Sequence, residues 1–200
     1  MRKTLLPVLA VSLLLAACGV DTTGLSAEST RPIHPKSNPN AAVTVTEYAD
    51  FECPACGAAY SLITKPVLDK YGSQIRYEHK HFPLTGIHRY ALEAAQATEC
   101  AADQGKFWEY AEVVFTKQED LSSRALRDWA AELKFDTALF ERCLSSKIKR
   151  DTVLADQEEG RKLGVSGTPS FFVNDQRVES DVEAIGKAVD AAIGAMAKHL

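Results

Sequence analysis

Two cysteines three residues apart, Cys53-Pro54-Ala55-Cys56, can close a disulfide between themselves and reopen it. An alternating β-branched run precedes the pair and a helix-forming run follows it. Cys53 therefore falls at a helix N-terminus, where unpaired N–H groups and the macrodipole favour an anion, and the thiolate is the reactive form of cysteine. This makes Cys53 the expected exposed nucleophile and Cys56 the resolving thiol. A structural disulfide is one alternative. Half a zinc site is another, but tetrahedral zinc needs two more ligands, and no second Cys-x-x-Cys or histidine pair at finger spacing follows. Two thiolates would also suit a soft ion such as Cu(I).

Other residues bear on the same chemistry. Glu47 shares a strand face with Val43 and Val45, where desolvation would raise its pKa and fit it to shuttle a proton to a buried second thiol. At a sheet edge it would instead sit in water. Gly164-Val165-Ser166-Gly167-Thr168-Pro169 leads into the apolar run Ser170 to Val173. A proline opening a strand after such a loop is a good place for a cis peptide, with backbone left free for an extended partner chain. His79 and His81 alternate on a strand and are expected to pack or face solvent, and His88 to begin a helix. Phe107, Trp108 and Trp129 read as core aromatics. No metal site is expected, nor any Gly-rich phosphate loop.

The elements that must position these groups follow from periodicity. Val43, Val45, Glu47 and Ala49 alternate with Thr44, Thr46 and Tyr48 as a strand. A helix then runs to Lys70, kinked at Pro66 and closed by Gly72, and Ile75 to His81 is a second strand ended by Pro83. Helices are expected over 88–102, 106–117, 122–133, 136–144 and 148–163. A hairpin follows, Ser170–Val173 and Gln176–Glu179 about Asn174-Asp175, and then a helix from Asp181 to about Ala197.

The compartment is read from the N-terminus. Arg2-Lys3 followed by the apolar run Leu5 to Ala17 falls short of the roughly 20 residues that span a bilayer, but fits an export signal. Leu15-Ala16-Ala17-Cys18 looks like a bacterial lipobox, with Cys18 taking the lipid and becoming the new N-terminus. Residues 18–40, with Pro32, Pro35 and Pro39 and few aliphatics, read as a flexible tether. Of the five cysteines, Cys100 and Cys143 then remain as a second pair, expected to bridge two helices; two reduced core thiols are the alternative. The 200 residues carry a formal charge of −4, an ordinary globular balance that leaves no basic field for nucleic acid.

The segments DFECPACG, EAAQATECAADQGKFWEYAEVVF, FERCL and GVSGTPSFFVND together resemble the DsbA-like family of thiol:disulfide oxidoreductases, over about residues 41 to 195. The resemblance implies an α/β thioredoxin fold in two parts, 41–86 and 164–200, around a helical insertion, 87–163; the export signal read above occupies 1–17. It implies Cys53 as attacking thiol, Cys56 as buried partner in a redox-active disulfide, Pro169 as cis-proline behind Thr168, and Glu47 as the buried acid, with no cofactor. The best-known oxidant of the family has histidine where Ala55 stands and valine where Thr168 stands. Expected partners are exported client proteins, a membrane protein that resets the site, and the lipid bilayer holding a monomer outside the cytoplasm. Donation of disulfides is the leading direction, with reduction or isomerisation, or Cu(I) binding, as alternatives.

Overall fold

The structure, a computed structural model, describes residues 21–197; Cys18 and the proposed signal segment lie outside the described residues. Strand β1 (Val43–Ala49) lies inside a four-stranded sheet of order β2-β1-β3-β4. Strand β2 (Ile75–His81) runs parallel to β1, with Glu47 opposite His79, while β3 (Ser170–Val173) pairs antiparallel to β1 and β4 (Gln176–Val178) antiparallel to β3. The hairpin turns on Asn174 and Asp175, both at positive φ, a twist that matches the flanking strands.

A parallel pair cannot be closed by a hairpin, and the β1–β2 crossover is helical. Helix α1 (Pro54–Ala59) passes through one wide π-helical turn, Tyr60–Thr64, into α2 (Lys65–Tyr71). The Lys65 N–H reaches back to the Tyr60 carbonyl, and Pro66, with no N–H to give, falls in the first turn of α2. The expected kink thus takes the form of a widened turn.

Five helices fill the connection from β2 to β3: α3 (Ala91–Ala102), α4 (Phe107–Thr116), α5 (Ser123–Glu132), α6 (Thr137–Ser146) and α7 (Arg150–Lys162). Ser122 and Asp136 cap α5 and α6 by accepting from the Ala125 and Leu139 amides. Helix α8 (Val182–Ala197) packs Ile185 and Val189 into the core. This is a thioredoxin fold with an inserted helical domain, and one apolar core joins the two. Val45, Phe51 and Tyr77 meet Phe107, Trp108 and Phe115 in it, and a disulfide ties Cys100 on α3 to Cys143 on α6. No helix among the described residues is long and apolar enough to cross a membrane.

The tether reading fails for residues 21–40, which lie along the domain. Arg31 places its guanidinium 3.0 Å from Asp156 Oδ2 and 3.3 Å from Glu99 Oε1, two carboxylates that the insertion otherwise buries without a cation of their own helix. Trp108 donates its indole N–H to the Pro32 carbonyl at 2.9 Å, and Lys149 Nζ donates to the Glu28 carbonyl at 2.8 Å. The His34 ring meets Trp108 edge-on at 4.5 Å. Composition counts the apolar area a segment can bury; this one is held by polar groups, each meeting a buried counterpart.

Candidate active site

Cys53 caps α1 with an extended backbone (φ −75°, ψ 118°), Pro54 supplies the first helical position, and Cys56 turns inward to full burial. The two sulfurs are present as thiols. Their environments push them in opposite directions. Cys53 is held down to about 5, first by a hydrogen bond from the Cys56 thiol, against burial, with help from the Ala55 and Cys56 amides. Burial drives the Cys56 thiol far above its ordinary range, and the hydrogen bond it gives to Cys53 adds to this. The first sulfur can carry charge and the second keeps its proton. Cys53 is less open than expected of a nucleophile, at 7% exposure, and its thiol donates to the Thr168 carbonyl at 3.5 Å.

Thr168 and Pro169 are joined by a cis peptide, and the loop that carries them stands directly over Cys53. Gln118, after α4, holds the other side by donating to the carbonyls of Phe51 at 2.8 Å and Cys53 at 3.0 Å. Its amide oxygen and the Phe115 carbonyl occupy the space a Cβ at residue 57 would need, so the insertion closes on the active-site helix at Gly57.

Glu47 lies on a central strand, not an edge, and is 1% exposed. Thr64 donates to it at 3.1 Å and the Tyr77 hydroxyl donates to the same oxygen. Burial raises its pKa to about 7, with these two donors pulling the other way. Because the folded value lies above the unfolded one, the folded protein holds the extra proton between roughly pH 4.5 and 7, and this group's contribution to stability falls as pH rises through that window. Glu47→Gln is therefore expected to gain about 1–3 kcal/mol on wild type at pH 8 and nearly nothing at pH 5. Denaturant midpoints at the two pH values measure it; an equal difference at both would mean that Glu47 ionises without cost.

The two strand histidines are buried. His79 packs against Phe51, Phe107 and Phe115, and His81 Nε2 lies 2.9 Å from Glu99 Oε1. Burial, with His81 and Arg31 nearby, keeps His79 well below the usual histidine range. Among the described residues no group of three or more His, Cys, Asp or Glu side chains is arranged to hold a metal. His88 does not begin a helix. It lies in the loop before α3, with Nδ1 2.7 Å from Asp50 Oδ2, while Glu52 accepts from the Tyr90 amide, and these two carboxylates hold residues 88–90 out of the helix. Asp50, Glu52, His88 and Gln118 thus join the site from positions that sequence reasoning did not assign to it. The only signal for the first two is that they stand directly before the cysteine pair.

Comparison with known proteins agrees with this fold. A family model described as Thioredoxin matches residues 35–191. Na(+)/H(+) antiporter NhaA 3 of Salinispora tropica is 38% identical over 161 residues, which are 80% of this chain and 24% of that protein, so the chain spans about a quarter of the length of the curated relatives it matches. Among solved structures, a thioredoxin-like oxidoreductase from Silicibacter pomeroyi superposes with a TM-score of 0.70 at 24% identity, covering 87% of this chain and 98% of its own. Alpha-DsbA1 of Wolbachia pipientis gives a TM-score of 0.69 at 22% identity, covering 82% and 92% respectively.

Proposed function

Since the chain belongs to the thioredoxin family, we propose that it is a DsbA-like protein disulfide oxidoreductase that donates disulfides to exported proteins. The observation that carries this reading is the placement of two thiols three residues apart, Cys53 at the N-terminus of α1 beneath the cis Thr168–Pro169 peptide and Cys56 fully buried behind it, which favours a thiolate on the first and a protonated thiol on the second. In the oxidised enzyme a client thiolate attacks Cys53 Sγ. A client–Cys53 disulfide forms, the Cys53–Cys56 bond breaks, and Cys56 leaves with the electron pair and takes a proton, for which Glu47 is the buried donor. A second client thiolate then attacks the client sulfur of the mixed disulfide. The client closes its own disulfide, Cys53 leaves as thiolate, and the enzyme has gained the two electrons the client lost.

The peptide edge beside Pro169 is the place for an extended client segment, with the Thr168 carbonyl over the reacting sulfur. A stabilised Cys53 thiolate lowers the free energy of the reduced enzyme, and this makes its disulfide an oxidant. Export by the N-terminal signal, lipid attachment through Cys18 and a membrane protein that reoxidises the pair complete the reading. Thr168, which resembles the residue before the cis-proline in reductases and isomerases of this fold, favours the opposite direction.

Equilibration with glutathione buffers, together with an assay on a reduced, unfolded client, decides between the two. A potential well above that of thioredoxin, about −270 mV, with oxidation of the client, is expected. A potential near that value with no client oxidation would make the protein a reductase. Failure to exchange disulfides at all, with tight Cu(I) binding by the reduced pair, would replace the enzymatic reading with a metal-holding one.

A further inference from the structure

A carboxylate beside a thiolate is a poor neighbour, and the active-site loop has one. Asp50 is almost fully buried and is bound to both cysteines through its backbone, its carbonyl accepting from the Cys53 amide at 3.1 Å and its amide donating to Cys56 Sγ at 3.4 Å. Alone, its charge would oppose a second negative charge at Cys53. The motif itself offers no remedy, because the residues between the cysteines are Pro54 and Ala55.

The remedy comes from the loop between β2 and α3. Asp50 Oδ2 accepts from the Leu84 amide at 2.8 Å and meets His88 Nδ1 at 2.7 Å, while Oδ1 accepts from the Glu52 amide at 2.8 Å. The Leu84 carbonyl in turn accepts from the His88 amide at 2.9 Å, and Glu52 accepts from the Tyr90 amide. Five hydrogen bonds thus fix one imidazole against the active-site loop. His88 is the cation-forming side chain paired with Asp50 among the described residues, and its side chain is 16% exposed, so it can exchange protons with solvent.

We propose that His88, fixed on Asp50, is the charge-positioning residue of the exchange site: its imidazolium neutralises Asp50 and balances the Cys53 thiolate each time that sulfur leaves. The imidazole contacts Asp50, and the charges that act on it are those of Asp50, Cys53 and Glu52, while the neighbouring Arg89 turns its guanidinium over the Tyr90 ring at 5.4 Å. Burial works against a charge on His88, but the Asp50 bond and the Asp50, Cys53 and Glu52 charges outweigh it and raise its pKa. Cys53 and His88 are then a coupled pair, and coupling is reciprocal. If the imidazolium favours the thiolate, the thiolate favours the imidazolium, and closing the Cys53–Cys56 disulfide must let His88 lose its proton at lower pH. No electron passes through His88.

The inference rests on the disulfide-exchange reading, but its test needs no client. His88 is followed by NMR titration in the unaltered protein, once as the dithiol and once as the disulfide. A His88 midpoint displaced to lower pH in the disulfide form is expected. In His88→Gln, which keeps a donor for Asp50 without the charge, the thiolate absorbance of Cys53 should require a several-fold lower proton concentration to appear. Identical His88 midpoints in the two redox states would overturn the proposal whether or not the variant folds, and so would an unmoved thiolate curve in a folded variant. A protein with the coupling intact but unable to exchange disulfides would instead fail the functional reading alone.

Discussion

Cys56→Ser is expected to accumulate covalent complexes with client proteins, and Cys53→Ser to accumulate none. Only the sulfur of the residue at the N-terminus of α1 has its thiolate favoured, held to about 5, whereas the Cys56 thiol is fully buried and driven the other way. Exchange at Cys53 forms a mixed disulfide whose internal escape is attack by Cys56; with serine there the escape is closed and the intermediate persists. With serine at Cys53 no sulfur stands beneath the Thr168 carbonyl, and the turnover of client disulfides should drop roughly a thousandfold or more. Non-reducing electrophoresis of cells carrying each variant reads the outcome directly. Complexes on Cys53→Ser instead would place the nucleophile at the buried position, and the assignment from the helix terminus would be wrong.

The second large effect is on stability. Cys100 and Cys143 lie 43 positions apart in sequence, both almost completely buried, one on α3 and the other on α6. Joining them closes a long loop in the unfolded chain, for which the chain-entropy estimate is about 4 kcal/mol, with measured losses on removing such bonds of about 2–5 kcal/mol. The double change Cys100→Ala with Cys143→Ala should therefore lower the unfolding free energy by about 2–4 kcal/mol. This is a large share of the stability of an ordinary domain. The folded fraction should still exchange disulfides at the wild-type rate, because the bond is internal to the insertion and the reacting sulfurs sit on α1. Denaturant titration of the oxidised wild type and the variant measures the first part. A loss below about 0.5 kcal/mol would mean that the insertion is held by packing alone, as in the core shared by Tyr110, Phe135 and Phe140.

Whatever depends on near neighbours is legible along the chain. Alternation in Val43 to Ala49 specifies a strand, Cys53-Pro54 a capped helix start, Asn174-Asp175 a tight hairpin, and Ser122 and Asp136 the starts of α5 and α6, because periodicity, cap chemistry and turn geometry act over a few residues. The meetings of polar groups distant in sequence follow from packing alone. Composition made residues 21–40 a tether, yet Arg31 finds Glu99 and Asp156 across the fold; His88 read as a helix start, yet Asp50 holds it in a loop. Gln118 had no local role at all until α4 brought it under the carbonyls of Phe51 and Cys53. Burial has the same character, since alternation gave Glu47 its face but only the pairing of β1 on both sides removed it from water. An apolar residue announces its destination by its type, whereas a charged residue is soluble in water and stable inside only beside a particular partner, and that partner's position is set by the packing of the whole chain.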